Sequence, residues 1–263
     1  MGRYSLKHYG LYLGLASVLA LTLAACADDA SGDGDREARS GNDQDDSEIV
    51  RVDPNPYPST YTPPPSGLTL IRGATVFDGV GGEFQNTDLL IRDGVIAEIG
   101  EGLEAPDDAQ VVDAEGRFIT PGVVDIHSHL GVYPSPSTNA HSDGNEATDP
   151  VTAEVWAEHS VWPQDPGFDA ALIGGVTTLH ILPGSANLFG GRGVTLRNVP
   201  GRTVQSMKFP DAPYTVKMAC GENPARVYGG RGRSPATDMG NMAGYRSSWI
   251  EASRYRDSWH DYW

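Results

Sequence analysis

Residues 118–131 read FITPGVVDIHSHLG, an apolar run that contains Pro-Gly and ends in polar, histidine-bearing residues. Successive side chains of a β-strand point to opposite faces, so Asp125, His127 and His129 are predicted to share one face. Neutral imidazoles held side by side bind one divalent ion, and an acid behind them orients a ring through its second nitrogen. The run therefore predicts half of a metal site at the end of a strand.

Short runs of β-forming residues precede this strand and are separated by glycine-containing turns. Asp93-Gly94 lies between two of them and predicts a tight hairpin, because a type I′ turn requires positive φ, which Asp and Gly tolerate. We expect four or five strands here, forming a small β domain over residues 67–118 rather than a parallel sheet. The runs cover residues 68–72, 88–92, 95–99 and 110–113.

Two later segments continue the pattern. Residues 174–182 (GGVTTLHIL) are predicted to form the next strand, and residues 214–224 (YTVKMACGENP) another. His180 either faces the site or is a core histidine with its hydrogen bonds satisfied, and we favour the second interpretation. The glycine-rich loop between these strands fits neither a Walker nor a dinucleotide-binding pattern, so a phosphate site is not predicted.

The small β domain, the Pro-Gly before the strand, the Asp-x-His-x-His at its end and the Gly-Val-Thr-Thr of residues 175–178 together resemble the metal-dependent amidohydrolase superfamily. Imidazolonepropionase-like and prolidase-like members are the most similar in sequence texture. The resemblance implies an α/β fold, with the small N-terminal β domain followed by the first half of a (β/α)8 TIM-type barrel over residues 119–263. It implies hydrolysis of amide or cyclic amide C–N bonds in a small-molecule or peptide-like substrate.

The resemblance also suggests the metal ligands. His127 and His129 correspond to the first two ligands of a divalent ion, with zinc expected. In several amidohydrolases a strand lysine is carboxylated and bridges two metals, which nominates Lys217. The alternative is a Lys217 ammonium that pairs with an acid at the barrel mouth, and both interpretations stay open. Other members use a strand glutamate, but we do not expect Glu222 to be a ligand.

The family pattern is incomplete within these 263 residues. The resemblance implies two later histidines and a late aspartate that acts as the general base. His260 is the only histidine after His180, and it falls in a predicted terminal helix from residue 247 to 263. We therefore expect a fragment, a truncated gene product or one part of a split assembly. The alternative function is a catalytically inactive envelope lipoprotein that binds metal or a partner.

Residues 1–26 have the parts of a secretory signal: basic residues, an apolar run and small residues at the end. The run is shorter than the roughly 20 residues that span a membrane. It ends in Leu-Ala-Ala-Cys, which resembles the bacterial lipobox and implies a lipid on Cys26. The residue after the cysteine is Ala27, and in this resemblance it favours anchoring of the lipid in the outer membrane, with the domain on the periplasmic side.

Residues 27–66 are predicted to be a disordered acidic tether, because large apolar side chains are almost absent before Ile49 and prolines cluster towards the end. The chain carries a formal net charge of −16, which repels nucleic acid phosphates and excludes nucleic acid as a partner. Of the two cysteines, Cys220 is predicted to be a buried free thiol.

Asn187 and Arg192 are candidates for substrate contacts, because loops at the carboxyl end of barrel strands form active sites. Residues 194–197 and 203–206 flank a Pro-Gly turn and are predicted to form a projecting hairpin.

Overall fold

The computed structural model describes Asp53 and residues 55–262. The predicted signal segment, Cys26 and most of the predicted tether lie outside the described residues.

The first sheet has five strands and lies directly before the histidine-bearing strand. Its order is β3-β2-β1-β4, with β5 also paired to β1. β1 pairs with β2 in an antiparallel arrangement but with β4 and β5 in parallel, so the sheet is mixed. Its strands are β1 (Thr69–Phe77), β2 (Glu83–Arg92), β3 (Val95–Gly100), β4 (Gln110–Asp113) and β5 (Phe118–Ile119).

The predicted hairpin is present between β2 and β3. Asp93 has a φ of 51° and Gly94 a φ of 76°, and Arg92 pairs with Val95 across the turn. Both central residues therefore adopt the positive φ that a type I′ turn requires.

The second sheet has four strands in the order β6-β7-β8-β9. β6 and β7 are parallel, whereas β8 is antiparallel to both of its neighbours, so β9 again runs in the direction of β6 and β7. The carboxyl ends of β6, β7 and β9 consequently meet at one edge. The elements are β6 (Val123–Ser128), α1 (Pro166–Ile173), β7 (Val176–Ile181), β8 (Phe189–Arg197), α2 (Val204–Met207), β9 (Thr215–Met218), α3 (Glu222–Gly229) and α4 (Asp238–Tyr262).

This curled sheet with its helix α1 forms the expected α/β half-barrel, with one departure from strict strand-helix alternation. β8 follows β7 directly and folds back on it. The last five residues of the predicted glycine-rich loop, which was expected over residues 183–193, are therefore strand, because β8 begins at Phe189 and contains Gly190, Gly191 and Gly193. The predicted hairpin of residues 194–206 is wrong, since its second half forms helix α2, which begins at Val204.

Apolar side chains from β7, β8, α1 and α2 form the core of the half-barrel. Helix α1 begins at Pro166. Asp165 caps it by accepting a hydrogen bond from the backbone N–H of Gly167, and the helix buries Phe168. The core cluster consists of Val132, Ala157, Val161, Phe168, Leu179, Ile181, Val194, Leu196, Val204 and Met207.

Residues 55–61, which we name the strap, pack on the half-barrel, and this corrects the prediction of a disordered tether up to residue 66. The Ser59 hydroxyl donates to the Lys208 carbonyl at 2.7 Å, and the Thr60 N–H donates to the Gln205 carbonyl at 2.9 Å. The prediction failed because proline-rich composition does not show the polar partners that a distant segment offers.

The terminal helix α4 begins at Asp238, nine residues before the predicted start, and runs to Tyr262. His260 lies exposed in its last turn. In the part of the chain that the structure describes, no helix combines the length and apolar character needed to cross a bilayer.

Candidate metal centre

The two predicted histidines lie side by side at the carboxyl end of β6. His127 is the penultimate residue of that strand, and His129 follows its last residue. Their rings meet edge to face, with centroids 5.2 Å apart. The alternation of a β-strand thus brings the two imidazoles to the same face, as the sequence predicted.

A backbone carbonyl orients the ring of His129. Its Nδ1 donates a hydrogen bond to the carbonyl oxygen of Leu182, the residue after β7, at 2.8 Å. Because Nδ1 carries the proton, Nε2 keeps the free lone pair that metal coordination requires. A carbonyl that fixes the tautomer of a liganding histidine is a common partner in protein metal sites.

Lys217 brings a third nitrogen to the pair from strand β9. Its Nζ lies 3.2 Å from Nε2 of His127, although 90 residues separate the two in the chain. The side chain is only 6% exposed, and burial lowers the pKa of its ammonium. The charge of Lys217 in turn lowers the pKa of His127, with burial and His129 acting in the same direction and Asp125 opposing them. Both groups are shifted towards their neutral, electron-donating forms.

Asp125 does not orient a histidine ring as the strand geometry suggested. Its Oδ1 accepts a hydrogen bond from the backbone N–H of His127 at 3.0 Å. The pairing of β6 with β7 is also irregular between Asp125 and Ser128. The carboxylate stabilises the strand end and acts on His127 through its charge.

The spacing of Lys217 and His127 is compatible with two ligands of one divalent ion of the zinc type. Two nitrogen ligands each about 2.1 Å from a tetrahedral zinc lie about 3.4 Å from each other, close to the 3.2 Å between Lys217 Nζ and His127 Nε2. Within the described residues, His, Cys, Asp and Glu side chains alone form no group of three that could hold a metal. The third nitrogen is that of the lysine, which the barrel brings in from another strand.

His180 is satisfied within the sheet, in agreement with the interpretation favoured from the sequence. Its Nδ1 lies 2.9 Å from the Thr195 hydroxyl, and its Nε2 lies 2.7 Å from the Thr215 hydroxyl. Burial lowers the pKa of His180, followed by the charge of His127, so the neutral form is favoured. With both ring nitrogens engaged, His180 supports the sheet behind the site.

A polar chain that the sequence did not reveal joins the site to the loop after β6. The Tyr133 ring lies edge to face with His129, at 5.8 Å between centroids, and its hydroxyl donates to Asn145 Oδ1 at 2.7 Å. Asn145 donates in turn to Asn187. A side chain at Gly184 would collide with Tyr133 and Asn145, which explains the glycine in the Pro-Gly after β7. No sequence motif marks Tyr133, but its position four residues after His129 was a usable signal.

The remaining candidates lie elsewhere. Asn187 is buried, and its amide group donates to the Glu146 and Asp149 carbonyls, so it holds a loop together rather than facing a substrate. Arg192 stacks over the Trp156 ring at 4.2 Å. Glu222 is exposed at the start of α3. Cys220 is exposed, which corrects its prediction as a buried thiol, because it follows β9 in a surface turn.

The carboxyl ends of the three strands that run in parallel, β6, β7 and β9, meet at one edge of the half-barrel, and two histidines and a lysine lie there. This is the face at which enzymes with a (β/α)8 barrel place their active site. The comparisons with known proteins agree with that class. The chain is 38% identical to amidohydrolase tasK of Hapsidospora irregularis over 222 residues, which cover 73% of this chain and 23% of tasK. It is 48% identical over 61 residues to the dihydroorotase of Citrifermentans bemidjiense, covering 23% of this chain and 14% of the dihydroorotase.

A solved structure matches more fully. The amidohydrolase from Thermotoga maritima is 42% identical, with a TM-score of 0.67, over 73% of this chain and 49% of the other. The chain therefore spans about half the length of that amidohydrolase and under a quarter of tasK. No family model matches the sequence. The chain belongs to the metal-dependent amidohydrolase superfamily.

Proposed function

We propose that this protein contributes to a metal-dependent hydrolase that cleaves amide or cyclic amide C–N bonds, with His127, His129 and Lys217 as ligands of a zinc ion. The observation that carries the proposal is the 3.2 Å approach of Lys217 Nζ to His127 Nε2, although two strands, β7 and β8, lie between β9 and β6 in the sheet order. Relatives named amidohydrolase and dihydroorotase support the same chemistry.

Each residue of the site has a distinct role in this proposal. His129 presents Nε2 because the Leu182 carbonyl holds its Nδ1 proton. Lys217 is shifted towards the neutral amine by burial, which is the form that donates a lone pair and also the form that carbon dioxide carboxylates. A divalent ion in such a site lowers the pKa of water to near neutrality and polarises the scissile carbonyl.

Metal binding by the purified full-length chain tests the ligand assignment directly. After equilibration with zinc and dialysis, the wild type should retain the metal, measured by inductively coupled plasma mass spectrometry. His127→Ala should lose most of it, because removing one ligand of a small site sharply lowers its affinity. His260→Ala is the matched control, since that histidine is exposed in α4 and should leave the zinc content unchanged.

Hydrolysis of a small panel then tests the activity. Dihydroorotate, hydantoin and N-acetyl amino acids represent cyclic and open amides, and turnover is expected to depend on zinc and on His127. Zinc retention without turnover of any member would favour the alternative of a catalytically inactive envelope protein that binds metal. Equal zinc content in the wild type and in His127→Ala would contradict the proposed metal site.

We also propose that the protein is exported and anchored by a lipid on Cys26 to the periplasmic side of the outer membrane. The support is the Leu-Ala-Ala-Cys sequence at the end of the apolar run. In a bacterial host, the wild type should sediment with membranes, and Cys26→Ser should not. Metabolic labelling with palmitate gives a second measurement, and unlabelled wild-type protein would contradict the anchor.

A further inference from the structure

A cavity of about 600 Å³ lies next to the candidate metal centre. The two histidines are not among its lining residues. Three lining residues, however, adjoin residues of the candidate metal centre or residues that contact it. Pro183 in its wall follows Leu182, whose carbonyl holds His129. Gly190 in its wall packs near the aliphatic stem of Lys217. Asn145, also in its wall, accepts the hydrogen bond of Tyr133. A molecule in this cavity would therefore border the site.

The strap supplies one wall of this cavity. Tyr57 lines it with its ring edge to face against Trp156 at 5.8 Å and against His159 at 5.1 Å. Among the described residues the Tyr57 hydroxyl has no hydrogen-bond partner, and the residue remains 44% exposed, which leaves ring surface available to a ligand. Trp156 is already covered in part, because Arg192 stacks on it at 4.2 Å.

The strap is held in place by a buried polar cluster. Nζ of Lys208 donates to the backbone carbonyl of Tyr57 and pairs with Glu158 Oε2 at 2.8 Å. Asn55 Oδ1 accepts from the Tyr214 hydroxyl at 3.0 Å. Because these contacts hold the backbone at Tyr57 itself, they position its ring in the wall of the cavity.

The charge of the lining selects the kind of ligand. Asp143, Glu146 and Glu154 contribute carboxylates, and the lining residues include neither lysine nor arginine. A cation over an aromatic ring is attracted by the ring quadrupole, and nearby carboxylates add to that attraction. Because Arg192 already stacks on Trp156, the ring that offers free surface to a ligand cation is that of Tyr57.

We propose that Tyr57 is a specificity-determining residue, which the strap carries into the cavity so that its ring and the surrounding carboxylates hold a positively charged group of the substrate. The inference that the bound molecule is a substrate rests on the proposed hydrolase function. The inference that a positively charged group binds rests on the cavity alone. The preferred substrates are amides that carry a guanidinium or ammonium group.

The test compares two probes of equal shape on the full-length chain, Nα-acetyl-arginine amide and Nα-acetyl-citrulline amide, by isothermal titration calorimetry. The urea of citrulline replaces the guanidinium without its charge. The wild type is expected to bind the arginine probe at least tenfold more tightly. Tyr57→Phe should keep this preference because it keeps the ring, whereas Tyr57→Leu, which keeps apolar bulk without a ring, should lose most of it.

Two further variants separate the parts of the inference. Glu154→Gln should weaken binding of the arginine probe several-fold, while Glu98→Gln, on the exposed strand β3 outside the cavity, should not. His127→Ala should keep the preference for the arginine probe over the citrulline probe, because both probes carry the same amide, so loss of zinc and loss of the cation site are distinguished. Equal affinity for both probes in the wild type, no binding of either, or an undiminished preference in Tyr57→Leu would overturn the inference.

Discussion

Two buried lysines in the half-barrel, Lys208 and Lys217, differ in how their ammonium groups are partnered. Lys208 is 5% exposed and Lys217 is 6% exposed. Nζ of Lys208 contacts Glu158 Oε2 at 2.8 Å and the Tyr214 hydroxyl at 2.6 Å, in addition to the strap carbonyl. Nζ of Lys217 has one hydrogen-bond partner among the described residues, which is the imidazole nitrogen of His127.

The difference distinguishes a lysine that stabilises the structure from a lysine that is available to bind a metal. A buried ammonium is costly unless a counter-ion and hydrogen bonds replace the water it loses. Lys208 receives both, so its charge holds the strap in place. Lys217 receives neither a carboxylate nor a full set of acceptors, and burial lowers its pKa accordingly. A buried lysine beside two histidines and without a counter-ion is therefore suited to act as a ligand.

The largest expected effect comes from breaking the fully partnered cluster. Lys208→Met leaves the Glu158 carboxylate, whose side chain is 0% exposed, without its cation. Removing one partner of a buried pair costs about 3–5 kcal/mol. Urea unfolding of the full-length chain, followed by far-UV circular dichroism, should show a loss of this size.

A second variant shows that the cost comes from the stranded charge. Lys208→Met combined with Glu158→Gln removes both charges and should recover a substantial part of the lost stability, because no unpaired ion remains buried. A Lys208→Met variant as stable as the wild type would mean that the pair does not hold the strap.

The sequence predicted the parts of the fold that depend on local patterns. The hairpin at Asp93-Gly94 follows from the φ that these two residues tolerate, and the shared face of His127 and His129 follows from the period of a strand. Similarly, the β-forming runs before residue 118 correspond to strands β1 to β4. These features require only neighbours in the chain.

The features that the sequence missed depend on residues far apart in it. The strap meets Lys208 across some 150 residues, and composition alone predicted disorder there. Strand β8 contains three glycines, which suggested a loop, but pairing on both sides with β7 and β9 makes it a strand. The choice between ligand and ion pair for Lys217 was open because only the fold shows which groups surround Nζ.

A smaller effect is expected from removing one hydroxyl group of the Lys208 cluster. Tyr214→Phe removes the hydroxyl that contacts Lys208, Asn55 and Glu158 while leaving the ion pair in place. The loss of stability should be about 1.5–3 kcal/mol, the range for hydrogen bonds to charged groups. Tyr255→Phe, on the exposed part of α4, serves as the control and should change stability by less than about 0.5 kcal/mol. Equal effects of the two substitutions would contradict the role of Tyr214.

The smallest change in stability is expected for the second lysine, Lys217, although its effect on function should be large. Lys217→Met replaces a buried amine with one nitrogen partner by an apolar side chain of similar volume, so the metal-free protein should stay within about 1 kcal/mol of the wild type. Its zinc affinity should fall by about tenfold or more, because a ligand is lost. Competition with a zinc-binding dye measures the affinity, and urea unfolding in the presence of a chelator measures the stability. A loss of stability as large as that of Lys208→Met, with zinc affinity unchanged, would show that Lys217 is structural and that the two lysines do not differ in kind.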